Sequence, residues 1–172
     1  MTYKNIFCTA LAVCFLSACA SVPFASKPST EIYLVRHAEK EPGRDPNLNP
    51  DGKVRAQALA DRLASVGLTA IYSTNTARTR QTAAPITLKT ALPVIYYDPA
   101  ELDAFAAQLL KLDGHILVVG HSNTTPDLVA ALGGEAGAPI VEASEYDRLY
   151  VLTIEGDSVS TDLQRYGQTS EY

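Results

Sequence analysis

The sequence predicts an α/β fold, a three-layer α/β/α sandwich around a mostly parallel central sheet. Three observations carry that prediction. Short apolar runs, in the style of strands buried on both faces, recur between residues 31 and 120. Segments with apolar residues three and four apart, bounded by helix-capping residues, lie between these runs. The remainder of the chain changes character and reads as two strands joined by a turn. With 172 residues the chain suits one domain, and 47% hydrophobic against 19% charged residues suits a packed core rather than disorder.

Ile32–Val35 is the first strand-like run. Asn49-Pro50 then reads as a helix start, with Asn49 as N-cap and Pro50 at the first helical position. Leu59, Leu63 and Val66 share one face of that helix, and Gly67 fits its stop. Ala70-Ile71-Tyr72 is a second short strand, followed by a helix from about Thr76 to Leu88. Val94–Tyr97 is a third strand. Asp98-Pro99-Ala100-Glu101 combines N-cap, N1 proline and capping-box glutamate, so a helix should begin there, with Leu102, Phe105, Leu109 and Leu112 as its apolar face. Ile116–Val119 is the fourth strand, and Thr125-Pro126-Asp127 opens a helix that stops at Gly133-Gly134. Leu149–Ile154 and Ser158–Leu163 flank Glu155-Gly156-Asp157 as a hairpin. No internal repeat and no second domain is visible, so one domain is expected over residues 31–172.

Residues 1–18 read as a targeting segment. Lys4 precedes an apolar stretch, Ile6–Leu16, that is too short for a membrane span. Leu16-Ser17-Ala18-Cys19 then resembles a bacterial lipobox, which implies cleavage before Cys19 and lipidation of its thiol. The competing reading is an ordinary secretory signal with an incidental cysteine. On the lipoprotein reading, residues 19–30 are a lipidated tether rich in Ser, Ala and Pro. The domain would then be anchored in the bacterial cell envelope, facing the periplasm. Cys8 and Cys14 would be removed with the signal, leaving no thiol for a nucleophile or a metal site. The acidic balance, 14 Lys+Arg against 19 Asp+Glu, argues against nucleic acid as partner.

Chemistry-bearing residues fall just past the strands. Arg36 and His37 end the first run, Ser73 and Arg78 follow the second, Asp98 follows the third, and His121 follows the fourth. Sites in open α/β sheets form beyond the carboxyl ends of the strands, so these residues converge if the four strands are neighbours. Two guanidiniums can fork onto phosphate oxygens and stabilise charge in the transition state. A neutral imidazole can attack phosphorus, and a second can hydrogen-bond a phosphate oxygen. Amides at the helix start after His121 would add donors.

These residues resemble the histidine phosphatase superfamily, also called phosphoglycerate mutase-like. The resemblance rests on Arg36-His37-Ala38, on Arg78-Thr79-Arg80-Gln81-Thr82-Ala83, and on Gly120-His121-Ser122, in the family's order. It implies the phosphoglycerate mutase-like sandwich, His37 as nucleophile, and Arg36, Arg78 and His121 completing a phosphate pocket, with no metal or other cofactor. It also implies a phosphorylated small molecule or phosphoprotein as substrate. Thr79 stands where the family has alanine. Arg80 would project about 200° round the helix from Arg78 and face elsewhere. His115 begins the fourth strand, remote from His121, and reads as structural; Tyr96 and Tyr97 read as strand packing.

Hydrolysis of a phosphomonoester also calls for a proton donor. The family often places a carboxylate after the third strand, which points to Asp98, although a capping carboxylate prefers to stay ionised. Glu101 and Glu39 are the other candidates. The segments between the motifs are short, so an open site is expected and a mutase, which must shield its intermediate from water, is disfavoured. The expectation is therefore a metal-independent phosphatase acting on a phosphomonoester or a phosphohistidine through a phosphohistidine on His37. The alternative is a tethered binder of a phosphorylated envelope component that does not turn it over.

Overall fold

The computed structural model describes Met1 and residues 29–170. The expected signal segment, Cys19 and nearly all of the tether lie outside the described residues.

Four parallel strands form the middle of the sheet and one of its edges. They are β1 (Thr30–Arg36), β2 (Ala70–Ser73), β3 (Val94–Tyr96) and β4 (Gly114–Gly120). β5 (Arg148–Glu155) and β6 (Ser158–Arg165) add an antiparallel hairpin on the other edge, giving the order β3-β2-β4-β1-β5-β6. β1 pairs with β4 in parallel and with β5 in antiparallel register, Arg36 opposite Gly120 and Val35 opposite Leu149.

Side chains alternate between the faces of a strand, and here both faces are covered. Tyr33 and Val35 of β1 and Leu117 and Val119 of β4 pack with Leu59, Leu63, Ala83 and Ile86. The last four belong to α1 (Pro50–Leu63) and α2 (Ala77–Thr90). Ile32 and Leu34, with Ile116 and Val118, pack instead with Phe105, Leu109, Leu128 and Val129. These come from α3 (Leu102–Leu109) and α4 (Thr124–Ala131). The α/β/α sandwich is therefore as expected.

The helices leaving β1 and β4, α1 and α4, lie on opposite faces. The crevice between the carboxyl ends of β1 and β4 is thus the switch point where such sheets bind ligands. The two expected catalytic histidines immediately follow these strands.

Local chemistry explains the start of α1. Asn49 caps α1, its Oδ1 accepting from Gly52 N at 2.8 Å, with Pro50 first in the helix. Gly52 passes against the chain after His37: a Cβ there would sit 2.0 Å from Glu39 O. One expectation is corrected. The helix after β3 does not start at Asp98; it starts at Leu102, after Glu101. Asp98 Oδ1 accepts from Ala100 N at 2.9 Å and Asp98 O accepts from Glu101 N at 3.2 Å. The aspartate closes a separate turn, because its short side chain satisfies a backbone amide there as readily as at a helix start.

Candidate active site

His37 and His121 stand side by side at the crevice, ring centroids 5.5 Å apart. His37 is held by backbone on both sides. Its amide donates to Gly120 O at 2.9 Å, and its Nδ1 lies 2.8 Å from Ala38 O. A carbonyl only accepts, so Nδ1 carries the ring proton and Nε2 keeps its lone pair. Ala38 N is in turn tied to Thr82 Oγ1 at 3.0 Å, so the threonine of the α2 motif fixes the loop that carries His37. Burial is the main reason that the His37 pKa falls to about 3, with Arg36 and Arg78 adding to the shift against the Ala38 hydrogen bond. The imidazole is neutral at physiological pH.

Gly120 lets this happen. A Cβ on it would meet Thr125 Oγ1 at 2.8 Å and Tyr97 Oη at 2.9 Å, so only glycine fits before His121. His121 places Nδ1 3.3 Å from Arg78 Nη2 and Nε2 2.9 Å from Thr74 Oγ1. Burial, then Arg78 and Arg36, lowers its pKa to about 4. Arg78 also lies 3.6 Å from the exposed Asp45, whose Oδ1 accepts from Ala77 N at the start of α2.

A pocket of about 440 Å³ opens at this point, lined by His37, Lys40, Arg78, Pro99, Ala100, His121, Ser122, Asn123, Thr124 and Glu142. Ser122–Thr124 form the entrance to α4, where the helix dipole favours negative charge.

Arg36 sits behind the pocket, 1% exposed, and is absent from its lining. Its Nη1 donates to Glu145 O at 2.9 Å and its Nη2 to Glu142 O at 2.7 Å, while its guanidinium carbon lies 3.9 Å from the centroid of the Tyr146 ring. Arg36, expected as a phosphate arginine, thus donates in this structure to carbonyls of the loop before β5. Burial lowers its pKa. The Nε atoms of Arg36 and Arg78 are buried without a hydrogen-bond partner.

The comparisons with known proteins agree with this geometry. The family model for the histidine phosphatase superfamily, branch 1, matches residues 32–100, which include His37 and Arg78. Over those residues the chain is similar to the histidine phosphatase superfamily. A Schizosaccharomyces pombe protein described as a phosphatase is 31% identical over 77 residues, 40% of this chain. The match spans 37% of the yeast protein's length. The protein histidine phosphatase SixA solved with tungstate superposes with a TM-score of 0.64 at 16% identity, covering 79% of this chain and 95% of SixA. An Agrobacterium tumefaciens protein described as phosphohistidine phosphatase SixA gives 0.57 at 25% identity over 84% of this chain and all of its own. A mycobacterial glucosyl-3-phosphoglycerate phosphatase gives 0.61 at 15% identity, covering 82% of this chain and 100% of its own.

The structure brings His37, Arg78 and His121 to one pocket, puts Arg36 behind it, and leaves Asp98 out of the lining. Asp98 instead borders a separate groove with Tyr97, Glu101 and Phe105. Of the other candidate carboxylates, Glu39 is held by Arg55 at 2.7 Å. Arg80 turns to Asn75 Oδ1 at 2.6 Å, as its helix phase requires. His115 pairs with Glu31 at 3.1 Å. Tyr97 stacks on Phe105, centroids 4.2 Å apart, whereas Tyr96 is half exposed on the edge strand.

Sequence reading missed Lys40 and Glu142 in the pocket wall, and the ion network that shapes Glu142's loop. Glu145, 2% exposed, binds Arg148 at 2.6 Å, Arg165 at 2.9 Å and Val141 N at 2.9 Å. Burial is the largest single effect on its pKa and pushes it up, but the hydrogen bonds to Arg148, Val141 N and Arg165 and the Arg148 charge together outweigh it and lower the pKa. The Glu145–Arg148 spacing was the only available signal, and such pairs are common on surfaces.

Proposed function

We propose that this protein is a phosphatase that forms a covalent phosphohistidine on His37. The observation that carries the proposal is the state of that side chain: neutral, with its proton on Nδ1 held by Ala38 O, and placed in the wall of an open pocket beside Arg78 and His121. A binder of phosphate needs the cations but has no use for a nitrogen lone pair prepared in this way.

In the first step Nε2 attacks phosphorus, an N–P bond forms, and the bond to the leaving oxygen or nitrogen breaks. The leaving atom takes a proton. Water then attacks the phosphohistidine, orthophosphate departs, and His37 regains its lone pair. Arg78 offers donors to the equatorial oxygens, where transition-state charge accumulates. The entrance of α4 adds backbone polarity. Among the described residues, Glu142 is the carboxylate that lines the pocket, so it is the better-placed proton donor.

The substrate reading is a phosphomonoester or a protein phosphohistidine. Support comes from a pocket wall that carries His37, Arg78 and His121 and from the phosphohistidine and phosphosugar phosphatases among the structural neighbours. The decisive experiment incubates the full-length protein with an aryl phosphate, with a panel of phosphomonoesters and with phosphohistidine. Phosphate release should survive a chelator and vanish in His37→Ala, and rapid quench at alkaline pH should trap an acid-labile phosphoenzyme. Chelator-sensitive turnover restored by a divalent ion would refute the metal-independent reading. Tight phosphate binding with no turnover would favour the binder.

We also propose that Cys19 carries lipid and holds the domain at the periplasmic side of the envelope. The support is sequential: a charged start, an apolar core, then Leu16-Ser17-Ala18-Cys19. Stable anchoring needs more than one acyl chain. Cys19→Ser should block processing or shift the protein to the soluble fraction; unchanged fractionation would count against a lipid anchor.

A further inference from the structure

Position 79 is where this chain departs from the superfamily motif, with threonine in place of alanine. Its side chain is fully buried, as is that of Thr74 within 1%. Neither hydroxyl reaches the pocket wall. Both are nevertheless connected to His121, and the chemistry of the partners fixes the direction of every proton in the connection.

His121 Nδ1 faces Arg78 Nη2 at 3.3 Å. A guanidinium only donates, so Nδ1 accepts and the ring proton resides on Nε2. Nε2 therefore donates to Thr74 Oγ1 at 2.9 Å. With that lone pair used, Thr74 directs its own proton to Thr79 Oγ1 at 3.1 Å. Thr79 Oγ1 closes the chain by donating to Thr74 O at 2.7 Å. An alanine at position 79 would leave the Thr74 hydroxyl in a dry site without its acceptor, which disfavours the arrangement.

We propose that Thr74 and Thr79 form a hydroxyl relay that locks His121 in its Nε2–H tautomer, so that Nδ1, the nitrogen beside Arg78, is the one that takes up a proton when a phosphoryl dianion enters. His121 then meets the phosphate as a charged donor through Nδ1, while Nε2 stays bonded to Thr74. Both threonines are positioning residues, since they act through His121. The inference rests on the functional reading above, in which the pocket holds a phosphoryl group.

Thr79 Oγ1 also accepts from Thr76 N at 3.3 Å, so the residue helps to cap α2. A purely capping role is separated from the relay by measuring the tautomer and by using two positions. The experiment records ¹⁵N spectra of the imidazole nitrogens in the intact protein, alone and with inorganic phosphate, and the pH profile of kcat/KM on an aryl phosphate. Wild type should show a proton on His121 Nε2 and none on Nδ1 until phosphate is added. Thr74→Val removes the acceptor without touching the α2 cap. It should mix the tautomers, shift the His121 limb of the pH profile, and lower kcat/KM about three- to tenfold, the scale of one hydrogen bond. Thr79→Val should do the same, and Thr79→Ser should restore both signals. If Thr79→Val fails to fold, Thr74→Val and Thr79→Ser still decide. A wild-type Nδ1–H tautomer, or Thr74→Val with unchanged tautomer and pH profile, overturns the relay. Absence of phosphate release from wild type, with the tautomer intact, overturns the functional reading and leaves the lock on the tautomer standing.

Discussion

Arg78 and Arg80 are two residues apart and point to different worlds. Arg78 borders the pocket and reaches His121, while Arg80 bonds Asn75 on the surface. Losing a donor to transition-state charge typically costs ~10²–10³ in rate. Arg78→Ala should lose that much in kcat on an aryl phosphate, and Arg80→Ala should stay within about twofold of wild type, as a surface change away from the site does. The proton donor can be settled by the same kind of comparison. Glu142→Gln should depress turnover of an alkyl phosphate, whose leaving oxygen needs a proton, far more than that of a nitrophenyl phosphate. Asp98→Asn should affect both little, because asparagine closes the turn to Ala100 equally well. A selective alkyl defect in Asp98→Asn instead would mean that the turn after β3 swings toward the pocket in the substrate complex.

At the scale of elements, the loop before β5 matters most. It carries Glu142 to the pocket and supplies the carbonyls that hold Arg36. Its shape depends on Glu145, whose two oxygens are shared among Arg148, Arg165 and Val141 N. Removing one partner of a buried ion pair leaves the other uncompensated and typically costs about 3–5 kcal/mol. Glu145→Ala should therefore lower the urea midpoint strongly and reduce kcat as well, because Arg36 and Glu142 lose their support. A variant with reduced stability but normal kcat would show that the loop is scaffold alone.

For the whole molecule, the two histidines at the pocket make stability depend on pH. Their folded pKa values, about 3 for His37 and about 4 for His121, lie below the ordinary 6.5, so the unfolded chain binds protons more readily. Stability is then complete above about pH 6.5 and declines as pH falls toward 4 and 3. Hydrogen bonds to Arg148, Val141 N and Arg165 hold Glu145 below the ordinary carboxylate range, so the window between pH 6.5 and 5 isolates these two histidines. Tm should be level from pH 8 to 7 and fall through that window, and the fall should be shallower in His37→Asn. A parallel slope in the variant would show that His37 is not the group being protonated.

Much of this was legible from the sequence because it was written in local chemistry. Apolar runs gave the strands, Asn49-Pro50 gave α1, and three short motifs gave His37, Arg78 and His121. Alternation of strand and helix also implied the layers, since each face of a buried sheet must be covered. Other features needed the tertiary structure. Asp98-Pro99-Ala100-Glu101 spells both a turn and a helix start, and the structure uses it as a turn. Arg36 adjoins His37 in sequence, yet alternation of side chains along β1 sends its guanidinium behind the pocket to a loop more than a hundred residues away. Glu142 reaches the pocket because β5 lies beside β1, and the Thr74–Thr79 pair reaches His121 because β2 lies beside β4. Sequence determines what each segment can form and which side chains carry chemistry. The meeting of distant side chains, and with it the direction of each proton at His121, is decided by the packing of the sheet.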